Sequence, residues 1–472
     1  MIRPAFPTAG VSLRRFGYAS LSDERQAYPL LGHRSREDCV AWRGGNTFSV
    51  ADFFAAVGGL AARLPPRPHA VNLCRDRYCF LIGFAAALLS RHISLLPTCR
   101  TTEALAQLHD RYPESYILTD HENASSGMPV CHVPDACTIA SPMHEMPLIP
   151  SERVAAVVFT SGSSGAPMAH AKTWGSLVKG AEALAHQFQM QTAIPRVVMG
   201  TVPAQHMYGL ETTIMLPLQR GWSLHAGHPV LPADIQRNLH ELPVPAWLMT
   251  TPIHLRAYAG RETVLRGIEG IISATMPLTR SLAAKIERVW GVPVHEIYGC
   301  TEGGMIGSRR PTVGETWTLC RGLRLSQDGD AVWVSGGHVG ESLRLADRIT
   351  AHNEDEFLLH GPNHDLVKVA GKRASLAALN AILMRIDGVV DGTFYWPGFG
   401  KSGNGRLTAF VVAPGLRPSM ILAALRTRLD PAFLPRPLHL VDVLPRNSTG
   451  KLPREELKAF AARFTKPRPR RG

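Results

Sequence analysis

The stretch that decides the fold is Val157-Val-Phe-Thr-Ser-Gly-Ser-Ser-Gly-Ala-Pro167, an apolar, strand-like run that passes into a loop of glycines and hydroxyl residues. Glycines let backbone N–H groups converge on an anion, and serine and threonine hydroxyls add further donors. The stretch lacks the G-x-x-x-x-G-K-[ST] spacing of a Walker A loop. Taken alone, it predicts either an anion-binding loop after a buried strand or a flexible surface linker.

Three further segments, in a fixed order along the chain, favour the first interpretation. They are Ile297-Tyr-Gly-Cys-Thr-Glu302, Asp365-Leu-Val-Lys-Val-Ala-Gly371 and Leu444-Pro-Arg-Asn-Ser-Thr-Gly-Lys451. With the glycine loop, they resemble the adenylate-forming superfamily of acyl- and aryl-CoA synthetases, peptide-synthetase adenylation domains and luciferases. The resemblance extends over nearly the whole chain. It implies an enzyme that uses ATP and Mg²⁺ to activate a carboxylic acid.

The resemblance also implies a nucleotide site assembled from distant motifs. The residues expected to hold the β- and γ-phosphates are Thr160, Ser161, Gly162, Ser163, Ser164 and Gly165. The residues expected around the rest of the nucleotide are Thr275 and Tyr298 at adenine, Asp347 at ribose and Thr301 at the α-phosphate. Glu302 is expected to hold Mg²⁺, and Lys451 is expected to reach the reacting groups from a mobile loop. Metal and donors are needed because the attacking carboxylate and the phosphate are both anions.

Several positions depart from the pattern of the superfamily. Met168 stands where a lysine is usual, and Lys172, four residues on, is the candidate substitute. The hinge motif Gly-Arg-x-Asp reads Gly361-Pro362-Asn363-His364, so the arginine that contacts ribose is missing. These departures leave open a non-catalytic relative that binds nucleotide without turnover. The retention of Glu302 and Lys451 favours the enzyme.

The segment His206-Met-Tyr-Gly-Leu-Glu211 bears on the identity of the acid. Amino-acid-activating relatives carry an aspartate in this segment, and none is present here. The residues expected to shape the acid pocket are His206, Tyr208, Ser273, Ala274, Gly299 and Gly304. An aromatic wall with one polar group suits a small aryl or unsaturated acid. The chain is similar in length to the short synthetases of aryl-polyene or xanthomonadin-type pigment clusters, and this resemblance implies an aryl acid such as a hydroxybenzoate. A medium- or long-chain acyl-CoA synthetase is the alternative.

The same resemblance implies a second half-reaction, in which a thiol attacks the acyl-adenylate. The small domain would rotate near residues 361–366, and Gly371 would line the tunnel for the thiol, where glycine lets a narrow arm pass. The sequence leaves two acceptors open, which are CoA and the phosphopantetheine of an acyl carrier protein.

Alternating helical and strand patterns predict an α/β fold with a small second domain. Ser49 is a plausible N-cap for a helix over residues 49–64, and a strand and a further helix follow at His69–Leu73 and Phe80–Ser90. After residue 361 the pattern changes to short strands and single helices, which is typical of an α+β unit. We therefore expect a large N-terminal domain of layered α/β subdomains over 1–362 and a small mobile α+β lid over 366–472.

Composition excludes several classes of protein. The 472 residues carry a net charge of +13, which suits an anionic partner, but no recognised motif for binding nucleic acid accompanies it. The N-terminus has no apolar region of a secretory signal, and no apolar run approaches the ~20 residues that span a bilayer. The eight cysteines lack paired spacing. We expect a cytoplasmic protein with no membrane span and no nucleic-acid partner.

Overall fold

The computed structural model describes most of the chain. The described residues are 26–33, 35–122, 127–134, 145–160, 168–190, 194–259, 265, 267–329, 331–362, 366–369, 372–397, 407–447 and 450–465. Predicted site residues Ser161, Gly162, Ser163, Ser164, Gly165 and Gly371 lie outside them, as does His364 of the hinge. Among the described residues, no helix is both long and apolar enough to cross a membrane.

Strands and helices alternate along the chain. The strands are β1 (Ala27–Pro29), β2 (Cys39–Arg43), β3 (Asn46–Ser49), β4 (His69–Asn72), β5 (Ile93–Leu96), β6 (Ser115–Thr119), β7 (Val130–His132), β8 (Leu148–Pro150), β9 (Val154–Thr160), β10 (Met168–Thr173), β11 (Val197–Gly200), β12 (Ser223–His225), β13 (Ala246–Thr250), β14 (Ile268–Ser273), β15 (Val294–Cys300), β16 (Gly304–Arg309), β17 (Trp317–Leu319), β18 (Leu323–Asp328), β19 (Ala331–Gly336), β20 (Gly340–Leu345), β21 (Asp347–Ala351), β22 (Glu356–Pro362), β23 (Leu366–Val369), β24 (Lys372–Ser375), β25 (Asp391–Tyr395), β26 (Thr408–Val412) and β27 (Leu438–Leu440). The helices are α1 (Val50–Ala61), α2 (Arg77–Leu89), α3 (Thr102–Arg111), α4 (Trp174–Gln187), α5 (Met207–Gly209), α6 (Leu216–Arg220), α7 (Pro232–Glu241), α8 (Pro252–Ala259), α9 (Arg280–Trp290), α10 (Leu376–Leu383), α11 (Pro418–Arg426) and α12 (Arg454–Thr465), with a π-helical segment Leu210–Met215 and a 3₁₀ turn Pro431–Phe433.

Two large sheets organise the part of the chain before residue 362. One has six strands in the order β10-β9-β5-β4-β6-β7, and the other has eleven in the order β21-β22-β17-β16-β15-β14-β13-β11-β12-β2-β3. The strands at the centre of each sheet pair in parallel. Such strands are covered on both faces and therefore read as continuous apolar runs. Strand β9 has this character, since residues 155–159 are all buried.

Local signals explain why the helices begin where they do. The side chain of Ser49 accepts a hydrogen bond from the N–H of Asp52, and the carboxylate of Asp52 accepts one from the N–H of Ser49. This capping box satisfies backbone donors that the first turn leaves without partners. The predicted N-cap is therefore confirmed. Helix α9 buries Leu282, Ile286 and Trp290, which recur at helical spacing, and it ends at Gly291 with φ of +71°.

The C-terminal part of the chain has a core of its own. The three-stranded sheet β25-β26-β27 packs with α10 and α11 around buried Leu383, Phe394, Val411 and Ile421. Strands β25 and β26 are among the short strands that the sequence pattern predicts after residue 361. This is the α+β character that the sequence predicted. The exact boundary near 361–366 stays a prediction, because residues 363–365 are outside the described residues.

The architecture brings several chain turns to one edge. Strands β5, β9, β14 and β15 all end close to the same cavity, and residues at or just after their carboxyl ends line it. In open α/β sheets, ligands bind at the carboxyl ends of parallel strands, where the loops diverge. The fold therefore indicates that this cavity is the candidate ligand site.

Candidate active site

The cavity at the carboxyl ends of the strands gathers residues from six regions of sequence. Nine of the residues predicted for the site line it: Thr160, His206, Tyr208, Ala274, Thr275, Gly299, Thr301, Gly304 and Lys451. The other lining residues are Thr98, Phe159, Met207, Glu211, Ile297, Cys300, Met305 and Asn447. Motifs from the large N-terminal part and from the small C-terminal part thus share one space.

The loop that carries Lys451 is fixed by hydrogen bonds within the small C-terminal part. The guanidinium of Arg446 forms a bidentate ion pair with Asp391, with N···O distances of 2.6 and 2.7 Å. Arg446 also donates to the carbonyl of Gly450 at 3.0 Å, and the N–H of Lys451 donates to Oδ1 of Asn447 at 2.9 Å. Lys451 is exposed, so its ammonium is free to reach into the cavity from a backbone that is held in place.

The same loop rests closely on the large part of the chain. Gly450 has φ of +81°, and a Cβ added there would lie 2.8 Å from Cδ1 of Ile253. Nη1 of Arg446 lies 3.7 Å from Sδ of Met276. Glycine is therefore required at position 450 both by its backbone conformation and by this close approach.

The turn between β15 and β16 carries Thr301 and Glu302. The Glu302 carboxylate lies 3.5 Å from Nε2 of His170, and the same nitrogen lies 3.1 Å from the hydroxyl of Thr160. Lys172, the candidate substitute for the missing lysine at 168, is buried and donates a hydrogen bond to the backbone carbonyl of Glu302. Burial lowers its pKa, against the opposing attraction of Glu211, Cys300 and Glu302. The buried Lys172 therefore holds the backbone of the turn that carries Thr301 and Glu302.

Tyr298 and Asp347, predicted around adenine and ribose, do not line the cavity. They contact each other, since the Tyr298 hydroxyl donates to Oδ2 of Asp347 at 2.8 Å. The tyrosine ring is 9% exposed and packs edge-on against Trp317 and Phe357. Burial and the nearby aspartate raise its pKa, so it stays a neutral donor. Tyr298 thus orients the carboxylate of Asp347.

The acid end of the cavity is built from the segment that starts at His206. The Tyr208 hydroxyl donates to the carbonyls of Ile272, at 2.8 Å, and Thr250, at 3.1 Å, which fixes the ring against the strand ends. Burial, with help from Lys451 and Arg100, lowers the pKa of His206 to about 4, so this imidazole is neutral near pH 7. Ser273, predicted as a pocket residue, is fully buried and does not line the cavity, whereas its neighbour Ala274 does.

The predicted set lacked eight of the lining residues named above, among them Glu211 and Asn447, and it also lacked His170 beside the site. Glu211 had a usable signal in the sequence. It follows Met207 by four residues and Tyr208 by three, which is the spacing of one helical face. His170 had no such signal in the sequence, because its contacts with Thr160 and Glu302 depend on the pairing of β9 with β10.

The donor set fits ATP with Mg²⁺. Thr160, Thr275, Thr301 and Lys451 all line the cavity, and their hydroxyl and ammonium groups are of the kind that suits an anionic phosphate chain. Mg²⁺ is bound in such sites through one or two carboxylates together with phosphates. Glu302, which was predicted to hold the metal, does not itself line the cavity, but it directly follows Thr301, which does. Within the part of the chain that the structure describes, no group of three or more His, Cys, Asp or Glu side chains could hold a metal.

Comparison with known proteins gives one family and a consistent set of relatives. The family model for AMP-binding enzymes matches residues 68–344. A 4-coumarate–CoA ligase of Rhodobacter capsulatus is 31% identical over 310 residues, covering 64% of this chain and 75% of that protein. The o-succinylbenzoate–CoA synthetase of Bacillus subtilis, solved with ATP and magnesium, has a TM-score of 0.76 at 18% identity and covers 89% of this chain and 97% of its own. A benzoate–CoA ligase of Burkholderia xenovorans has a TM-score of 0.75 at 17% identity, covering 89% and 96%.

Proposed function

The chain belongs to the AMP-binding enzyme family, and from this premise we propose that it converts a small aryl carboxylic acid into a thioester through an acyl-adenylate. It is an acid–thiol ligase that uses ATP and Mg²⁺. The observation that carries the proposal is that Lys451 lines the same cavity as Thr160 and Thr301. A cation from the C-terminal part and hydroxyls from two motifs of the large part thus surround one reaction space.

In the first half-reaction, a carboxylate oxygen of the acid attacks the α-phosphorus of ATP. A new P–O bond to the acid forms, the bond to pyrophosphate breaks, and no proton is transferred. Thr160 would hold the departing phosphates, Thr301 the α-phosphate, and Lys451 would stabilise negative charge that grows in the transition state. Mg²⁺, held by Glu302, would supply neutralisation of the phosphate charge. The neutral His206 adds no charge to repel or trap the acid.

In the second half-reaction, a thiol attacks the carbonyl carbon of the adenylate. The C–S bond forms, the C–O bond to AMP breaks, and the thiol proton passes to solvent. We propose that the small domain turns near residues 361–366 to bring Gly371 to the path of the thiol. The CoA-ligase relatives support CoA as the acceptor, and a carrier-protein phosphopantetheine is the second acceptor to test.

The preference for an aryl acid follows from the cavity walls. Flat or unbranched side chains line the cavity together with Lys451 and Glu211, namely Phe159, Met207, Tyr208 and Met305. A pocket of this composition suits an aromatic ring. A buried carboxylate on its wall disfavours the long alkyl chain of a fatty acid, since burial of a charge against hydrocarbon is costly.

Pyrophosphate release tests the proposal. Purified protein with MgATP is assayed against benzoate, hydroxybenzoates, cinnamates, amino acids and C6–C16 fatty acids, each alone, with CoA and with a phosphopantetheinylated carrier protein. We expect release that depends on aryl acids and a thioester that depends on the thiol. ATP binding without release for any acid would instead identify a non-catalytic relative.

A further inference from the structure

A carboxylate lies on the wall of the acid pocket with no assigned role. Glu211 belongs to the π-helical segment Leu210–Met215, directly after the His206–Tyr208 wall, and it lines the same cavity as Lys451. Its side chain is 4% exposed, whereas Lys451 is exposed. Glu211 is therefore a buried carboxyl group on the wall of a cavity that Lys451 lines from an exposed position.

Two glycines leave room for this carboxylate. A Cβ at Gly304 would lie 2.2 Å from Oε1 of Glu211, and a Cβ at Gly180, on α4, would lie 3.2 Å from the same atom. Both backbones thus lie close against the carboxylate end of Glu211, and the left-handed φ of +73° at Gly304 independently favours glycine there. This packing on two sides limits the room in which the carboxylate can move, which suits a group that recognises a ligand.

Protein groups satisfy the carboxylate only weakly. Within the part of the chain that the structure describes, its one hydrogen bond comes from the N–H of Met305, at a long 3.4 Å. Lys172 attracts it electrostatically, but the Lys172 ammonium is directed to the carbonyl of Glu302. Burial raises the pKa of Glu211 to about 7, above its ordinary value. A buried carboxyl group with one weak donor has free lone pairs toward the cavity, and leaving these unpaired is unfavourable.

We propose that Glu211 is a specificity-determining residue, which accepts a hydrogen bond from a hydroxyl or amino group on the substrate ring, remote from the reacting carboxylate. The inference rests on the proposed function and narrows its substrate class to hydroxy- or amino-substituted aryl acids. The unsubstituted acid would leave Glu211 without this donor. Sites built to bind a substrate hydroxyl reject the analogue that lacks it more strongly than apolar pockets reject a missing methylene.

The test compares matched acids in wild type, Glu211→Gln and Glu211→Leu. Pyrophosphate release is measured with 3- and 4-hydroxybenzoate against benzoate, with 4-aminobenzoate against benzoate, and with 4-hydroxycinnamate against cinnamate. We expect wild type to favour the substituted acid of at least one pair by about 100-fold or more in kcat/KM. In Glu211→Leu this ratio should fall below about 3, because kcat/KM should decrease for the substituted acid and increase for the parent acid.

The ratio of the two kcat/KM values separates recognition from a merely structural role. Damage to the fold would lower kcat/KM for both acids of a pair together and leave their ratio unchanged. If Glu211→Leu does not fold, Glu211→Gln provides the test, because glutamine keeps the shape of the side chain and removes the charge. In Glu211→Gln the ratio of kcat/KM for the substituted acid to that for the parent acid should be about tenfold lower than in wild type. An unchanged ratio in a folded variant overturns the role of Glu211 while leaving aryl-acid activation intact. No pyrophosphate release from wild type with any acid overturns the proposed function itself.

Discussion

Lys451 is the residue whose proposed role is easiest to isolate, because we propose that its charge acts only in the first half-reaction. Its ammonium reaches the shared cavity from a loop that Arg446 and Asn447 hold in place. We predict that Lys451→Ala lowers acid-dependent pyrophosphate release by roughly 10²- to 10³-fold, the loss typical of one preorganised charge-stabilising group. Thioester formation from a supplied acyl-adenylate should change less than about threefold, since no charge develops on phosphate there.

The control for this substitution is Lys458→Ala. Lys458 is an exposed lysine of α12 that pairs with Glu455 at 3.3 Å. Its substitution removes a positive charge from the same part of the chain, and Lys458 does not line the cavity. Both half-reactions should proceed at wild-type rates in this control. Equal loss of the two half-reactions in Lys451→Ala would contradict the role assigned to Lys451.

At the scale of the element, the start of strand β16 links backbone conformation to the acid pocket. Gly304 and Gly340, which opens β20, share φ of +73°, but only the first has a neighbour where a side chain would go. We predict that Gly340→Ala costs about 1–2 kcal/mol of stability from left-handed strain alone and leaves activity unchanged. Gly304→Ala should in addition displace Glu211 and lower kcat/KM for the preferred acid at least tenfold. Thermal unfolding and pyrophosphate release measure the two effects, and equal activity in both variants would be inconsistent with the packing described.

The elements themselves were largely predictable, because their signals are local. The apolar run of β9, the capping box at Ser49 and the stripe of α9 each depend on residues within a few positions of one another. The side chains of the site were predictable only where motifs carried them. The strand end at Ser273–Ala274 illustrates the difference, since adjacent residues face opposite sides and only the register of the sheet decides that Ala274 meets the cavity.

Contacts between distant segments were beyond sequence reasoning. Lys172 was singled out for a lysine missing from the glycine loop, yet its hydrogen bond goes to Glu302, 130 positions away. Whether a charged side chain is buried depends on how β10, α4 and β16 pack together, and no local pattern encodes that arrangement. The Arg446–Asp391 pair, separated by 55 positions, is hidden for the same reason.

At the scale of the whole molecule, the ion pair between Arg446 and Asp391 connects the sheet of the small C-terminal part to the loop that carries Lys451. Asp391 begins β25, and Arg446 precedes the Lys451 loop. We predict that Asp391→Asn lowers pyrophosphate release about tenfold or more, because loss of the bidentate pair loosens the loop and misplaces Lys451. Asp387→Asn, an exposed neighbour on the same part, is the matched control and should behave as wild type. Wild-type adenylation by Asp391→Asn would show that the loop is held by other contacts.

Buried ionisable groups spread over the large part set the response of stability to pH. Burial lowers the pKa of His206, His225 and His295 to about 4, from about 6.5 in the unfolded chain. Between these values the unfolded chain binds protons that the folded chain does not, so each histidine withdraws stability as pH falls from about 6.5 to 4. Buried Glu211 and Glu296, with pKa values raised to about 7 and 6, act in the opposite sense, since the folded chain holds their protons longer.

These contributions oppose one another in wild type. Single substitutions therefore reveal them better than the dependence of the wild-type free energy of unfolding on pH. His295, whose ring packs on Phe188 at 5.0 Å between centroids, should lose its contribution in His295→Gln. The free energy of unfolding of this variant should fall less steeply than that of wild type from pH 6.5 to 4.5, by up to about 1.4 kcal/mol per pH unit. Denaturant unfolding across this range gives the two slopes, and His352→Gln, at an exposed turn, should reproduce the wild-type slope. Parallel curves for His295→Gln and wild type would mean that His295 titrates alike in both states, despite its aromatic surroundings.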